Sequence, residues 1–134
     1  MRFLKGLPLV VVLFALAACG GGAATNASSN TSIPTIKMSA SNFEGATSLT
    51  IKAGQSVLFD DTFSGGGTHV LVTGMNGMAA PEAGAPAVLN APNQDMFTQD
   101  DATSNKQTIT FPTAGTYTIV CTVHPAMLVT ITVQ

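Results

Sequence analysis

The chain has 134 residues, 46% of them hydrophobic and only 9% charged, with 5 basic and 7 acidic side chains. That length suits one domain with a modest core, and so little charge excludes a disordered acidic or basic tail protein. A formal charge of -2 supplies no basic face to neutralise phosphates, which excludes nucleic acid as a partner. The 13 Gly, 7 Pro and recurrent Thr favour turns and strands over long helices.

In chain order, Met1 to Lys5 carry two cations, Arg2 and Lys5, and an apolar run follows from Leu7 to Ala18, broken only by Pro8. The run is too short for a stable membrane-spanning helix but suits the core of an export signal. It ends in Leu16-Ala17-Ala18-Cys19, which resembles the lipobox of bacterial lipoprotein signals. The resemblance implies cleavage before Cys19 and a diacylglycerol on its thiol. The plainer alternative is an ordinary signal whose cleavage site lies beside a Cys. Residues 1–18 are thus expected to be a signal peptide and 19–34, rich in Gly, Ala, Ser, Thr and Asn, a flexible tether. The protein is then expected in the cell envelope, exported and lipid-anchored to a bacterial membrane on its periplasmic or extracytoplasmic side. With Cys19 lipidated, Cys121 becomes the sole free thiol of an exported domain, an unusual situation that asks for a reason.

From residue 35 onward the pattern alternates with period two. Strands are predicted over 35–39, 49–52, 56–59, 68–73, 107–111, 116–123 and 127–133, separated by turns such as Ala53-Gly54-Gln55 and Pro112-Thr113-Ala114-Gly115. No window sustains helical periodicity. Short strands punctuated by Gly and Pro over about one hundred residues indicate an all-β Greek-key β-sandwich for 35–134. Met75 to Asp100, with Pro81, Pro86 and Pro92, reads as a long crossing connection in which a short strand at Val88-Leu89 is expected.

The chemistry gathers at the final turn. Tyr117, Ile119 and Cys121 share one strand parity, as do Met127, Val129, Ile131 and Val133, so Cys121 ends one inward row and Met127 begins another. Pro125 breaks the ladder between them, with His124 at the crest of the loop. Thiolate, imidazole and a weak thioether are the donors of a blue-copper site, which also needs a second imidazole. The sequence holds 2 His, so the partner is His69, at the start of Val70-Leu71-Val72; both parities of that strand are apolar, and its orientation cannot be read.

Each residue alone has a bland reading. A buried Cys is most often an inert small hydrophobe, Met127 could be core filler, and a His beside Pro could be a solvated turn. Together the spacing C-x2-H-x2-M arises by chance roughly once in a thousand sequences of this composition. A catalytic Cys–His pair is disfavoured, because an inward thiol has no evident substrate cleft. Met75-x-x-Met78 reads as flexible apolar contact before Cu(I) ligation, and Asp60-Asp61 and Asp100-Asp101 as solvated turn carboxylates before steering charges.

Phe111-Pro112-x-x-Gly115-x-Tyr117-x-x-x-Cys121-x-x-His124-Pro125-x-Met127 resembles the C-terminal copper loop of the cupredoxins, the blue type 1 copper proteins. The short His124-to-Met127 gap is amicyanin-like, where plastocyanin-like loops are longer. Leu49 to Val57 resembles the family's second and third strands, and His69 falls where its first His ligand is expected. Val70 departs from the Asn that many members place after that His to tie the ligand loops, and Val123 stands where amicyanin and pseudoazurin have Pro; Thr122, the usual partner of the Asn, is present.

The resemblance implies one type 1 copper cycling between Cu(I) and Cu(II). Cys121, His69 and His124 would form its trigonal plane and Met127 would be the axial ligand. It implies a monomeric electron carrier rather than an enzyme. Redox partner proteins would dock briefly at the His124 edge, ringed by Pro125, Ala126 and Met75 or Met78. Two alternatives share the sequence: a periplasmic copper-delivery protein of the same fold, and a metal-free interaction sandwich.

Overall fold

A computed structural model describes residues 32–45, 47–62, 67–91, 97 and 105–134. The expected signal peptide, Cys19, nearly all of the tether and Asp100-Asp101 lie outside the described residues. The period-two alternation resolves into β1 (Thr35–Met38), β2 (Phe43–Glu44), β3 (Ser48–Ile51), β4 (Ser56–Asp60), β5 (Leu71–Met75), β6 (Met78–Ala79), β7 (Lys106–Thr110), β8 (Gly115–Cys121) and β9 (Leu128–Val133). These form one sheet in the order β2-β1-β4-β7 and another in the order β3-β9-β8-β5-β6. The pairs β1–β4 and β3–β9 run parallel, so the chain passes repeatedly from one sheet to the other between neighbours. This is the expected all-β sandwich. Among the described residues no helix is long and apolar enough to cross a membrane.

Alternation sets which side chains meet in the middle. From the first sheet Ile36, Met38, Val57, Phe59 and Ile109 are buried; from the second come Ile51, Leu71, Tyr117, Ile119, Cys121, Val129, Ile131 and Val133. Each such aliphatic side chain contributes about 1.5–3 kcal/mol when fully removed from water. The orientation of β5, unreadable from its uniformly apolar sequence, is settled by this core. Leu71 faces inward, whereas Val70 and Val72 form a separate cluster with Val120.

The end of the sandwich away from Cys121 is fastened by Tyr117, whose hydroxyl donates to the Thr113 carbonyl at 2.9 Å. Tyrosine used this way closes a corner between strands.

The crossing connection differs from expectation in two places. Val88-Leu89 is not a strand but part of a 3-10 turn, Ala87–Leu89. Pro86 precedes it with φ of -53°, already in the helical range, and its carbonyl accepts the Leu89 N–H at 2.9 Å. The turn drives Leu89 into the core, where it is fully buried. The second difference is the β5–β6 hairpin, closed by Asn76 and Gly77 at φ of 54° and 72°. Asn-Gly is the pair best suited to two positive φ values and is the signal that marks this turn.

Thr73, fully buried on the inward parity of β5, donates its hydroxyl to the Asn90 side-chain carbonyl. The same Asn90 amide group brackets Glu82, accepting its N–H at 3.1 Å and donating to its carbonyl at 2.9 Å. One side chain therefore holds the connection onto the sheet. Asn90→Ala leaves the Thr73 hydroxyl only the longer contact to the Leu89 carbonyl at 3.4 Å and takes both Glu82 main-chain partners away, and is expected to destabilise the fold by about 1–3 kcal/mol. The check is a lower urea midpoint with an unchanged m-value.

Candidate metal centre

Antiparallel pairing of β5 with β8 sets Leu71 opposite Cys121 and Thr73 opposite Ile119. His69 lies two residues before Leu71 and so shares its inward parity. A short bridge with Phe97 fixes its backbone, the His69 N–H reaching the Phe97 carbonyl at 3.2 Å and the Phe97 N–H returning at 3.3 Å. The Phe97 ring stands edge-on to the imidazole, with centroids 6.3 Å apart.

Beyond Cys121 the loop is held by its own backbone. The His124 carbonyl accepts the Met127 N–H at 2.8 Å, and the Met127 carbonyl accepts the Cys121 N–H at 3.3 Å. The Thr122 N–H donates to the Val70 carbonyl at 3.0 Å, joining the two donor-bearing segments. Val70 brings no side-chain amide, so here the tie between the loops is a main-chain bond.

The folded chain gathers three of the four expected donors at this end. Cys121 Sγ lies 3.7 Å from His69 Nδ1 and 3.7 Å from His124 Nδ1, and the three donor atoms fall within 4.8 Å of one another. The imidazole centroids are 5.1 Å apart, the rings tilted by 55°. Donor bonds of about 2.0–2.3 Å at trigonal angles put neighbouring donors roughly 3.6 Å apart, so the Sγ–Nδ1 edges fit one ion at the centre of the triangle. A thiolate with two imidazoles is the chemistry of copper or zinc, not of a hard cation such as magnesium or calcium. Met127 is buried in the same core cluster as Cys121, as its parity predicts.

Cys121 and His69 are fully buried, while His124 is partly exposed among exposed Val123, Pro125 and Ala126. The Asn76-Gly77 turn presses on this loop, since a Cβ on Gly77 would lie 2.7 Å from Pro125 Cβ. Met75 and Met78, which flank that turn as direct partners, are 63% and 68% exposed.

One residue at the site was misread from sequence. Asp61 is no solvated turn carboxylate: it is 1% exposed, and its Oδ1 lies 3.2 Å from His69 Nε2. The approach is of contact length but poorly aligned, and neither atom makes a well-formed hydrogen bond elsewhere among the described residues. Asp61 Oδ2 accepts the Gly67 N–H at 3.0 Å. Burial pushes the Asp61 carboxyl up, against the opposing pull of Gly67 and His69. Burial likewise pushes the His69 imidazole down, toward the neutral form a metal requires, against the attraction of Asp61. The signal that could have found Asp61 is its place right after the inward Phe59 and half-buried Asp60 of β4. Asp60 is not free either: its carboxylate accepts from Thr62 and pairs with Lys106 at 3.2 Å.

The family model for copper binding proteins of the plastocyanin/azurin family matches residues 34–134. The chain belongs to that family. Its fold is shared with solved members. Amicyanin from Paracoccus versutus superposes with a TM-score of 0.51 at 22% identity, over 78% of this chain and 83% of that one. A mutant plastocyanin of fern superposes with a TM-score of 0.51 at 26% identity, over 75% of this chain and 99% of that one. No curated protein sequence is a significant match. For this family member, the His69, Cys121 and His124 donors with Met127 nearby fit a single type 1 copper.

The cradle behind His69 is tight. A Cβ on Gly67 would sit 3.2 Å from His69 Nε2 and 3.5 Å from the Ala40 carbonyl, so Gly67→Ala forces the imidazole or its surroundings to give by a few tenths of an ångström. Disturbing the support of a ligand in this way is expected to weaken copper binding about 10–100-fold. Competition titration against a copper chelator, with the metal-free melting point as control, measures it.

Proposed function

We propose that the protein is a membrane-tethered blue copper protein that carries single electrons between redox partners. In this reading Cys121, His69 and His124 hold the copper and Met127 is its weak axial ligand. The observation that carries it is the triangle of Cys121 Sγ with two Nδ1 atoms at 3.7 Å, buried on one side and reaching the surface only through His124. Copper bound there supplies a one-electron couple.

The chain's own residues do the rest. Cys121 ends β8, His69 precedes β5 and is held by its bridge to Phe97, and His124 sits on a loop closed by main-chain hydrogen bonds, so the donors keep one arrangement while charge changes at the centre. Burial of Cys121 and His69 keeps water from the thiolate. The His124 edge opens onto Val123, Pro125, Ala126 and the exposed Met75–Met78 pair, a small apolar patch suited to brief docking. No group-transfer chemistry is needed, which supports a carrier rather than an enzyme.

Cu(II) added to the metal-free protein is expected to give an intense blue band and a higher melting temperature. His69→Ala and Cys121→Ser should each abolish the band, whereas Met127→Leu should stay blue. Its fold should lose under roughly 1.5 kcal/mol, because Leu nearly matches Met in volume. Its reduction potential should rise, because losing a donor disfavours Cu(II) more than Cu(I). A colourless Met127→Leu, or one with unchanged potential, removes Met127 from the axial position; a colourless parent protein removes the electron-carrier reading.

The tether and anchor rest on sequence. Residues 1–18 are proposed as the signal, 19–34 as the tether and 35–134 as the cupredoxin domain, exported and held to a bacterial membrane by lipid on Cys19. Two acyl chains suffice for stable attachment where one is marginal. A radioactive fatty-acid precursor should label the protein, and Cys19→Ala should lose the label and leave the membrane fraction.

A further inference from the structure

Among the described residues outside the donor set, Asp61 is the most deeply buried carboxylate. A carboxylate is costly to bury unless paired, and this one brings Oδ1 to 3.2 Å from the ring nitrogen of His69 that faces away from the donor triangle. Its other oxygen is taken by the Gly67 N–H. The geometry points to Asp61 as the positioning residue for His69: its carboxylate accepts the Nε2–H, keeps Nδ1 bare for copper, and leaves a fixed negative charge one imidazole ring from the metal.

Three observations converge on this role. Nδ1, not Nε2, is the nitrogen 3.7 Å from Cys121 Sγ, so the ring must carry its proton on Nε2 to serve as a ligand. The atom facing Nε2 at 3.2 Å is a carboxylate oxygen, which can only accept when ionised. Gly67 leaves no side chain between them: a Cβ there would crowd Nε2 at 3.2 Å. The Ser39 backbone also faces the His69 ring and is the rival acceptor.

The charge has a consequence separate from orientation. A carboxylate near the centre favours the more positive oxidation state, so it stabilises Cu(II) over Cu(I). One electron enters on reduction and the proton stays on Nε2. A unit charge at that range and an effective dielectric near 20 is worth roughly tenfold or more in the ratio of the two affinities.

The inference rests on the copper reading above, and its test separates the two. In the full chain, metal-free and 15N-labelled, the His69 ring is expected as the Nε2–H tautomer. Asp61→Asn, which keeps an acceptor, should retain that tautomer, whereas Asp61→Ala should populate Nδ1–H. With copper bound, Asp61→Asn should remain blue and lower the Cu(II)-to-Cu(I) affinity ratio at least about tenfold, a rise of about 59 mV for a one-electron couple.

Three results overturn the inference: Nδ1–H in the unsubstituted chain, an Nε2–H ring in Asp61→Ala, which would give the role to Ser39, or an Asp61→Asn potential equal to that of the parent. The tautomer of the parent needs no variant, so an Nδ1–H ring there overturns the inference even where Asp61→Asn fails to fold, and the Asp61→Ala tautomer separates Asp61 from Ser39. A parent that never turns blue defeats the copper reading instead and leaves the tautomer measurement to judge the Asp61–His69 pairing.

Discussion

The pairing of β5 with β8, Leu71 opposite Cys121, is the constraint from which the site follows. Antiparallel register places residues before Leu71 beside residues after Cys121, and alternation decides that His69 and Cys121 both look inward. The main-chain bond from Thr122 to Val70 then locks the two segments together where side chains do not. A slip of one residue would turn His69 outward, bring Val70 inward in its place and separate imidazole from thiol. The packed core of Tyr117, Ile119, Val129 and Ile131 opposes that slip, so the hydrophobic layer and the donor geometry are secured by the same register.

Much of this was legible in the sequence because β-strands advertise their faces. The rows Tyr117-Ile119-Cys121 and Met127-Val129-Ile131-Val133 by themselves place a thiol and a thioether at one end of the core, and both rows are buried. Where alternation fails, so does the reading. Uniformly apolar Val70-Leu71-Val72 carries no parity, and only the register with β8 orients it. Val88-Leu89 has strand-like residues, yet Pro86 starts a 3-10 turn there, a local backbone preference that overrides side-chain propensity. Asp61 was the costliest misreading. Two adjacent carboxylates at the end of a strand suggest solvent, and nothing in their own pattern announces that a histidine beyond the next Gly-rich stretch will fold over the second of them.

The two adjacent acids also illustrate how position divides identical chemistry. Asp60 ends β4 facing Thr62 and its cross-strand neighbour Lys106 on β7, a pair whose lysine stays in water and which adds little stability. Asp61, one residue on, points the other way and enters the interior, where the same carboxylate must be answered by Gly67 and His69. The low overall charge of the chain makes this exception more telling, since few of its acids are available to be spent inside.

The route of the chain between the sheets has a kinetic consequence. β9 is an inner strand of its sheet, antiparallel to β8 on one side and parallel to the distant β3 on the other. The β8–β9 hairpin can close locally, but the β3 partner and the β5 neighbour must be recruited across long loops, and such non-local pairing slows folding. Until β5 docks, Cys121 has a nearby His124 but no His69. A chain that emerges unfolded therefore carries an unshielded thiol for as long as β5 takes to dock. The window for unwanted oxidation is set by topology, not by the reactivity of the cysteine.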